Sequence, residues 1–104
     1  MSTTTLAKII PILTEPLVRT GLYTNPEEAL KHIIIDYIER QIAWAEAEIA
    51  RYEQKYQQTF AEWTESLRGR ATLAQEDDWL EWEATRDMLD SWRHIKAEIE
   101  QSDV

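Results

Sequence analysis

The sequence predicts an all-α protein: an N-terminal helical dimerisation segment followed by a long antiparallel, coiled-coil-like helical hairpin. Two observations carry this. Positions 35, 38, 42, 45, 49, 52 and 56 hold Ile, Ile, Ile, Ala, Ile, Tyr and Tyr. Apolar steps that alternate between three and four residues keep one stripe against a partner helix when the two supercoil. Glycine occurs only at 21 and 69 and proline only at 11, 16 and 26, in a chain rich in Ala, Glu, Leu, Ile, Gln and Arg. So few breakers among so many helix formers leave little room for strands and tight turns.

The elements follow in order. From about Thr5 to Thr20 the chain carries Leu6, Ile9, Ile10, Ile12, Leu13, Leu17 and Val18, with Pro11 and Pro16 among them. An interior proline removes an intrahelical hydrogen bond, so this segment reads as a kinked helix or two short ones. Gly21 suits the position just past a helix end, where a left-handed backbone is needed. Next, Thr24 with Glu27 fits a capping box, and Asn25 before Pro26 is the alternative cap. Beyond it no glycine or proline interrupts Glu27 to Arg68, room for one helix about 65 Å long. Thr59 with Glu62 offers a break, but the pattern, running on through Phe60, Trp63 and Leu67, favours a continuous helix.

Arg68-Gly69-Arg70 is the strong turn, and Thr72 with Gln75 can cap a last helix. That helix carries Leu73, Leu80, Ala84, Met88, Trp92, Ile95 and Ile99 on one face. So short a connection pairs it with the end of the long helix, antiparallel. Residues 1–104 thus form one domain, with a hairpin over 40–101 turning near 68–72. Residues 5–38 extend beyond it and are the most apolar part of the chain. Ile33, Ile34 and Ile35 point around most of a helix circumference, so a second copy of the chain is expected to cover one side. The dimerisation residues expected are Ile10, Leu13, Leu17, Ile33, Ile34 and Ile38.

Composition bounds the function. There are no cysteines, hence no disulfide framework and no thiol chemistry. No basic leader precedes a long apolar run, and no stretch approaches the roughly 18 apolar residues a membrane span needs. The expectation is a soluble cytoplasmic protein. Of the net charge of −9, residues 1–42 contribute −1 and residues 43–104 contribute −8. Phosphate backbones repel such a surface, so nucleic acid is an unlikely ligand, whereas a basic protein is attracted to it.

Catalytic patterns are missing. A helical di-iron site needs Glu-x-x-His pairs, and none occurs; His32 has Glu28 and Asp36 four residues away, and His94 has Asp90, the spacing of surface ion pairs. Paired acidic motifs that hold magnesium in helical nucleotide hydrolases would have to come from Glu27-Glu28 with Glu76-Asp77-Asp78, Asp87 or Asp90. Among these candidates the required Glu-x-x-Asp spacing is absent, which leaves metal-dependent nucleotide hydrolysis a remote alternative. No serine sits in a nucleophile elbow and no glycine loop cradles phosphate. The expectation is a non-enzyme with no cofactor and no metal.

One segment has functional content. In Gln75-Glu76-Asp77-Asp78-Trp79-Leu80-Glu81-Trp82-Glu83 two tryptophans three residues apart share a flank among five carboxylates. Large aromatics ringed by charge make interface hot spots, so Trp79, Trp82, Asp77 and Asp78 are the partner-binding candidates. The competing reading packs the tryptophans on Phe60, Trp63 or Tyr56 of the facing helix.

The stretch from Leu6 to Gly21, then Gly21-Leu22-Tyr23, a capped turn, Glu28-Ala29-Leu30 and an apolar helix resembles short antitoxins of prokaryotic type II toxin–antitoxin loci. Lys55-Tyr56, Thr59-Phe60, Glu62-Trp63 and Trp79 to Glu83 are similar to small helical proteins associated with such loci. The resemblance implies an N-terminal dimerisation unit, ribbon–helix–helix or similar, with a helical extension that masks a basic toxin. Ribbon–helix–helix proteins read DNA with a basic or polar strand before the first helix. Here that stretch is Ser2-Thr3-Thr4-Thr5, with no basic residue, so toxin masking carries over better than operator binding. The expected function is a protein-interaction module, an acidic antitoxin or adaptor. The alternative is a structural coiled coil whose only partner is itself.

Overall fold

The computed structural model describes residues 3–102. Among them are four helices and no strand: α1 (Thr3–Arg19), α2 (Pro26–Tyr56), α3 (Phe60–Leu67) and α4 (Leu73–Gln101). The molecule is elongated, 59 × 27 × 21 Å. α2 and α4 lie antiparallel along one another, α1 folds back on the start of α2, and α3 closes the opposite end against α4.

α1 runs as one assigned helix through both prolines. Pro16 cannot donate to the carbonyl of Ile12, a residue on the exposed side where the carbonyl is open to solvent. The helix ends in a Schellman motif: Gly21 has φ 81°, its N–H donates to Val18 O at 3.0 Å, and Leu22 N–H donates to Leu17 O at 3.1 Å. A Cβ added at Gly21 would meet nothing within 4 Å, so any cost of substitution is backbone strain alone. Gly21→Ala is therefore expected to destabilise by about 1–2 kcal/mol, read as a few degrees off the thermal midpoint.

The next cap settles between the two alternatives. Asn25 accepts from Glu28 N at 2.7 Å with Pro26 opening the helix, while Thr24 donates instead to the Glu28 carboxylate. The Thr24–Glu27 box is not formed. α1 meets α2 where Thr14 and Ala29 are both fully buried. Small side chains let the two backbones approach, and the Thr14 hydroxyl is satisfied by donating to Ile10 O at 2.9 Å.

The seam on α2 lies where the spacing puts it. Ile38, Ala45 and Tyr52 are buried, and Ile35, Ile42, Ile49 and Tyr56 are half-buried between them. Polar contacts along the pair fix the antiparallel register, among them Lys55–Asp78 at 2.7 Å, Tyr52–Glu81 at 2.7 Å, Lys96–Glu39 at 3.3 Å and Lys31 Nζ to Ser102 O at 3.2 Å. The pairing reaches Lys31, so the first turns of α2 belong to the hairpin rather than lying beyond it.

Two expectations are corrected. The long helix does not continue to Arg68. Gln57 takes a left-handed conformation (φ 54°), and Thr59 and Glu62 form the reciprocal capping box that starts α3. The break turns Trp63 back onto Tyr56, with ring centroids 3.9 Å apart, which a straight helix would not allow. Second, α4 presents a different face. Trp82, Thr85 and Leu89 are buried and Trp92, Lys96 and Ile99 half-buried, whereas Leu73 is 76 % and Leu80 60 % exposed. Ala84, Met88 and Ile95 also stay exposed. Turning Trp82 inward buries the largest side chain available, and an indole outweighs a leucine in apolar area. The capping box expected at Thr72 and Gln75 is present.

Of the six residues assigned to dimerisation, Ile38 is excluded from any surface because it is buried between α2 and α4. Ile10, Leu17 and Ile33 are half-buried, while Leu13 and Ile34 are exposed.

Candidate protein-interaction site at the hairpin tip

Where α2 ends, α3 packs across the start of α4 and six aromatic residues gather. Trp82 is stacked on Tyr52 at 5.4 Å and on Trp63 at 5.4 Å, and Phe60 meets it edge-on at 5.3 Å. Phe60 in turn stacks on Trp79 at 5.5 Å. Arg86 lies over the Phe60 ring and Arg51 over Tyr52, 4.4 and 4.5 Å from the centroids, within cation–π reach.

The two tryptophans of the acidic segment therefore part company. Trp82 is fully buried and offers a partner nothing, a correction to its place among the partner-binding candidates. It packs on Phe60, Trp63 and Tyr52, as the competing reading has it. Trp79 stays half-buried, held by its indole N–H donating to Thr64 Oγ1 at 2.8 Å. Of the two aspartates, Asp77 is exposed and uncommitted to the core, whereas Asp78 accepts from Lys55 Nζ at 2.7 Å and from the Tyr56 hydroxyl.

These contacts set the charge states. Hydrogen bonds from Lys55 and Tyr56 hold the Asp78 carboxyl below the ordinary aspartate value. Burial and the bond to Glu81 push Tyr52 up to about 12. A depressed carboxyl stabilises the fold above its unfolded pKa, and that stabilisation disappears as pH falls through the folded value. Asp78→Asn is accordingly expected to melt below the wild type at neutral pH, the gap closing as pH drops below about 4. Thermal melts across an acid pH series check this.

Beside Trp79, between α3 and the first turns of α4, opens an apolar groove of about 420 Å³. Its walls are Leu67, Ala71, Trp79 and Leu80 with Thr64, and Arg68 and Glu76 stand at its margins. Leu80 is 60 % exposed, and Glu76 and Arg68 give the groove one charge of each sign, with exposed Asp77 next to Glu76 in the chain. Sequence reasoning missed the groove, because Leu80 was assigned to the seam and Leu67 to a continuous helix. The signal available was the indole N–H of Trp79, which needs an acceptor such as Thr64 when partly buried.

Among the described residues no group of three or more His, Cys, Asp or Glu is placed to hold a metal ion. His94 pairs with Glu98 at 3.1 Å rather than with Asp90, and His32 packs against the Tyr23 ring at 4.8 Å. No helix of the described residues is long and apolar enough to cross a membrane. Comparison of the chain with models of known families, with curated proteins and with solved structures gives no match.

Proposed function

We propose that the protein is an interaction module of antitoxin or adaptor type, which takes a basic protein partner on the tip of its helical hairpin. The observation that supports this reading is the open groove beside Trp79, apolar inside, with Glu76 in its lining and exposed Asp77 next to it in the chain. An apolar side chain from the partner enters beside Trp79 and Leu80 while its Lys and Arg face Glu76 and Asp77. Aromatic anchors supply most of the affinity at such a surface, and charge supplies the encounter rate and the selectivity. The −8 balance of residues 43–104 draws a basic partner toward this half of the chain. In the antitoxin form of the reading the partner is a toxin whose basic, RNA-directed cleft is masked by the bound hairpin.

The test compares the wild type with Trp79→Ala and with the pair Glu76→Lys, Asp77→Lys in co-purification from host cells. Trp79→Ala is expected to weaken partner retention by about thirtyfold or more, the hot-spot range. The charge reversals are expected to slow association and reduce its salt dependence. Retention that is indifferent to all three substitutions contradicts the reading.

A further inference from the structure

The hairpin has two unlike flanks. On one, ion pairs cross from helix to helix: Lys96–Glu39 at 3.3 Å and Arg93–Glu46 at 3.9 Å. On the other, α2 presents Ile34, Tyr37, Gln41 and Trp44 at helical spacing, none of them charged. α4 meets them there through Met88, Trp92 and Ile95, and the Tyr37 and Trp92 rings touch edge-to-face at 5.9 Å. Trp44 is 51 % and Tyr37 52 % exposed, and Met88, Ile95 and Ile34 each remain more than a third exposed. α1, packed about Ala29 on a different face of α2, leaves this flank open.

We infer that this uncharged flank is the surface on which two copies of the chain associate, side by side, into a bundle built from two hairpins. The inference is independent of the partner site at the tip. Charge selects the occupant. Each copy carries −9, so most ways of bringing two copies together set carboxylates against carboxylates. The flank from Ile34 to Trp44 and from Met88 to Ile95 escapes that repulsion along its length, its carboxylates standing only at one end. Area agrees. The exposed parts of two large aromatics and three aliphatic side chains come to about 400 Å² of apolar surface, as large as the largest patch on a typical monomer. A standard interface buries about 800 Å² per partner, somewhat over half of it apolar. The next positions along the stripe are Glu48 on α2 and Glu81 on α4, which close one end of the patch with a polar rim. Trp44 and Tyr37 belong to the residue types that carry binding energy at such centres.

The surface differs from the one that residues 5–38 suggested, since Ile38 is buried and α1 contributes nothing to the flank. The test is molar mass by sedimentation equilibrium for the wild type, Trp44→Glu, Met88→Glu and Leu13→Glu. All three side chains are exposed in the wild type, so helicity by circular dichroism should be unchanged; Met88→Glu serves if Trp44→Glu does not fold. The expected result is a wild-type mass twice the 12.3 kDa of one chain, association weakened at least about a hundredfold in favour of monomer by Trp44→Glu or Met88→Glu, and a dimer retained in Leu13→Glu. A monomeric wild type overturns the inference. So does a dimer that survives both flank substitutions, or one that only Leu13→Glu dissolves, which would place the interface on the outer face of α1.

Discussion

Trp82→Ala is expected to destabilise the protein by about 3–5 kcal/mol, the cost of emptying a buried aromatic site. Trp82 is fully buried, with Tyr52, Tyr56, Phe60 and Trp63 around it. Alanine would leave four rings facing a void that helices tied by the Thr59 and Thr72 caps cannot close. In a chain of this size each kcal/mol moves the midpoint by several degrees, so a fall of more than about 10 °C is expected in a circular dichroism melt. Trp82→Phe provides the control. The indole N–H of Trp82 has no acceptor among the described residues, so phenylalanine loses volume without losing a hydrogen bond and should cost clearly less. A Trp82→Ala protein that melts like the wild type would put Trp82 back on the surface.

Ile38→Ala is expected to cost about 2–5 kcal/mol, again through the fold of one chain. Ile38 lies in the α2–α4 seam, seven residues before Ala45 and fourteen before Tyr52, all three buried. Truncation at this point leaves a cavity in a two-layer contact that has no second core to fall back on. Ile38→Val, which removes one methylene group, should cost only about 0.5–1.5 kcal/mol. The decisive comparison is with Trp44→Glu. Ile38→Ala lowers the unfolding midpoint, while Trp44→Glu alters self-association at nearly constant helicity. If Ile38→Ala instead changed molar mass with no loss of stability, Ile38 would belong to an interface between copies.

The α2 seam was legible because one helix face holds isoleucine, alanine and tyrosine at unbroken three-and-four spacing from Ile35 to Tyr56. Gly21 and the Thr72 cap were legible from local chemistry alone. α4 was not legible in the same way. It carries two apolar stripes, Leu73–Leu80–Met88–Ile95 and Trp82–Leu89–Trp92–Ile99, and both satisfy helical periodicity. The choice between them depends on what faces them, with Trp82 going inward against Tyr52. The break at Thr59 was read correctly as a capping box but set aside. What outweighed continuity was tertiary, the stacking of Trp63 on Tyr56 and Trp82. The candidate site divides in the same manner. Periodicity puts Trp79 and Trp82 on one flank, yet a few tens of degrees of helix rotation bury one and leave the other beside a groove.

The two surfaces make separable demands on the same small hairpin. The tip, with its apolar groove beside Trp79, is the surface proposed for a basic partner. The flank is uncharged and suited to a second copy. Native mass spectrometry of the protein recovered from its host cells tests both together. The account predicts two copies of the chain with a basic protein bound. Trp79→Ala should strip the basic protein and keep the pair of chains, and Trp44→Glu should split the pair and leave the basic protein on each chain. A single chain with nothing bound, or two substitutions with the same effect, would contradict it.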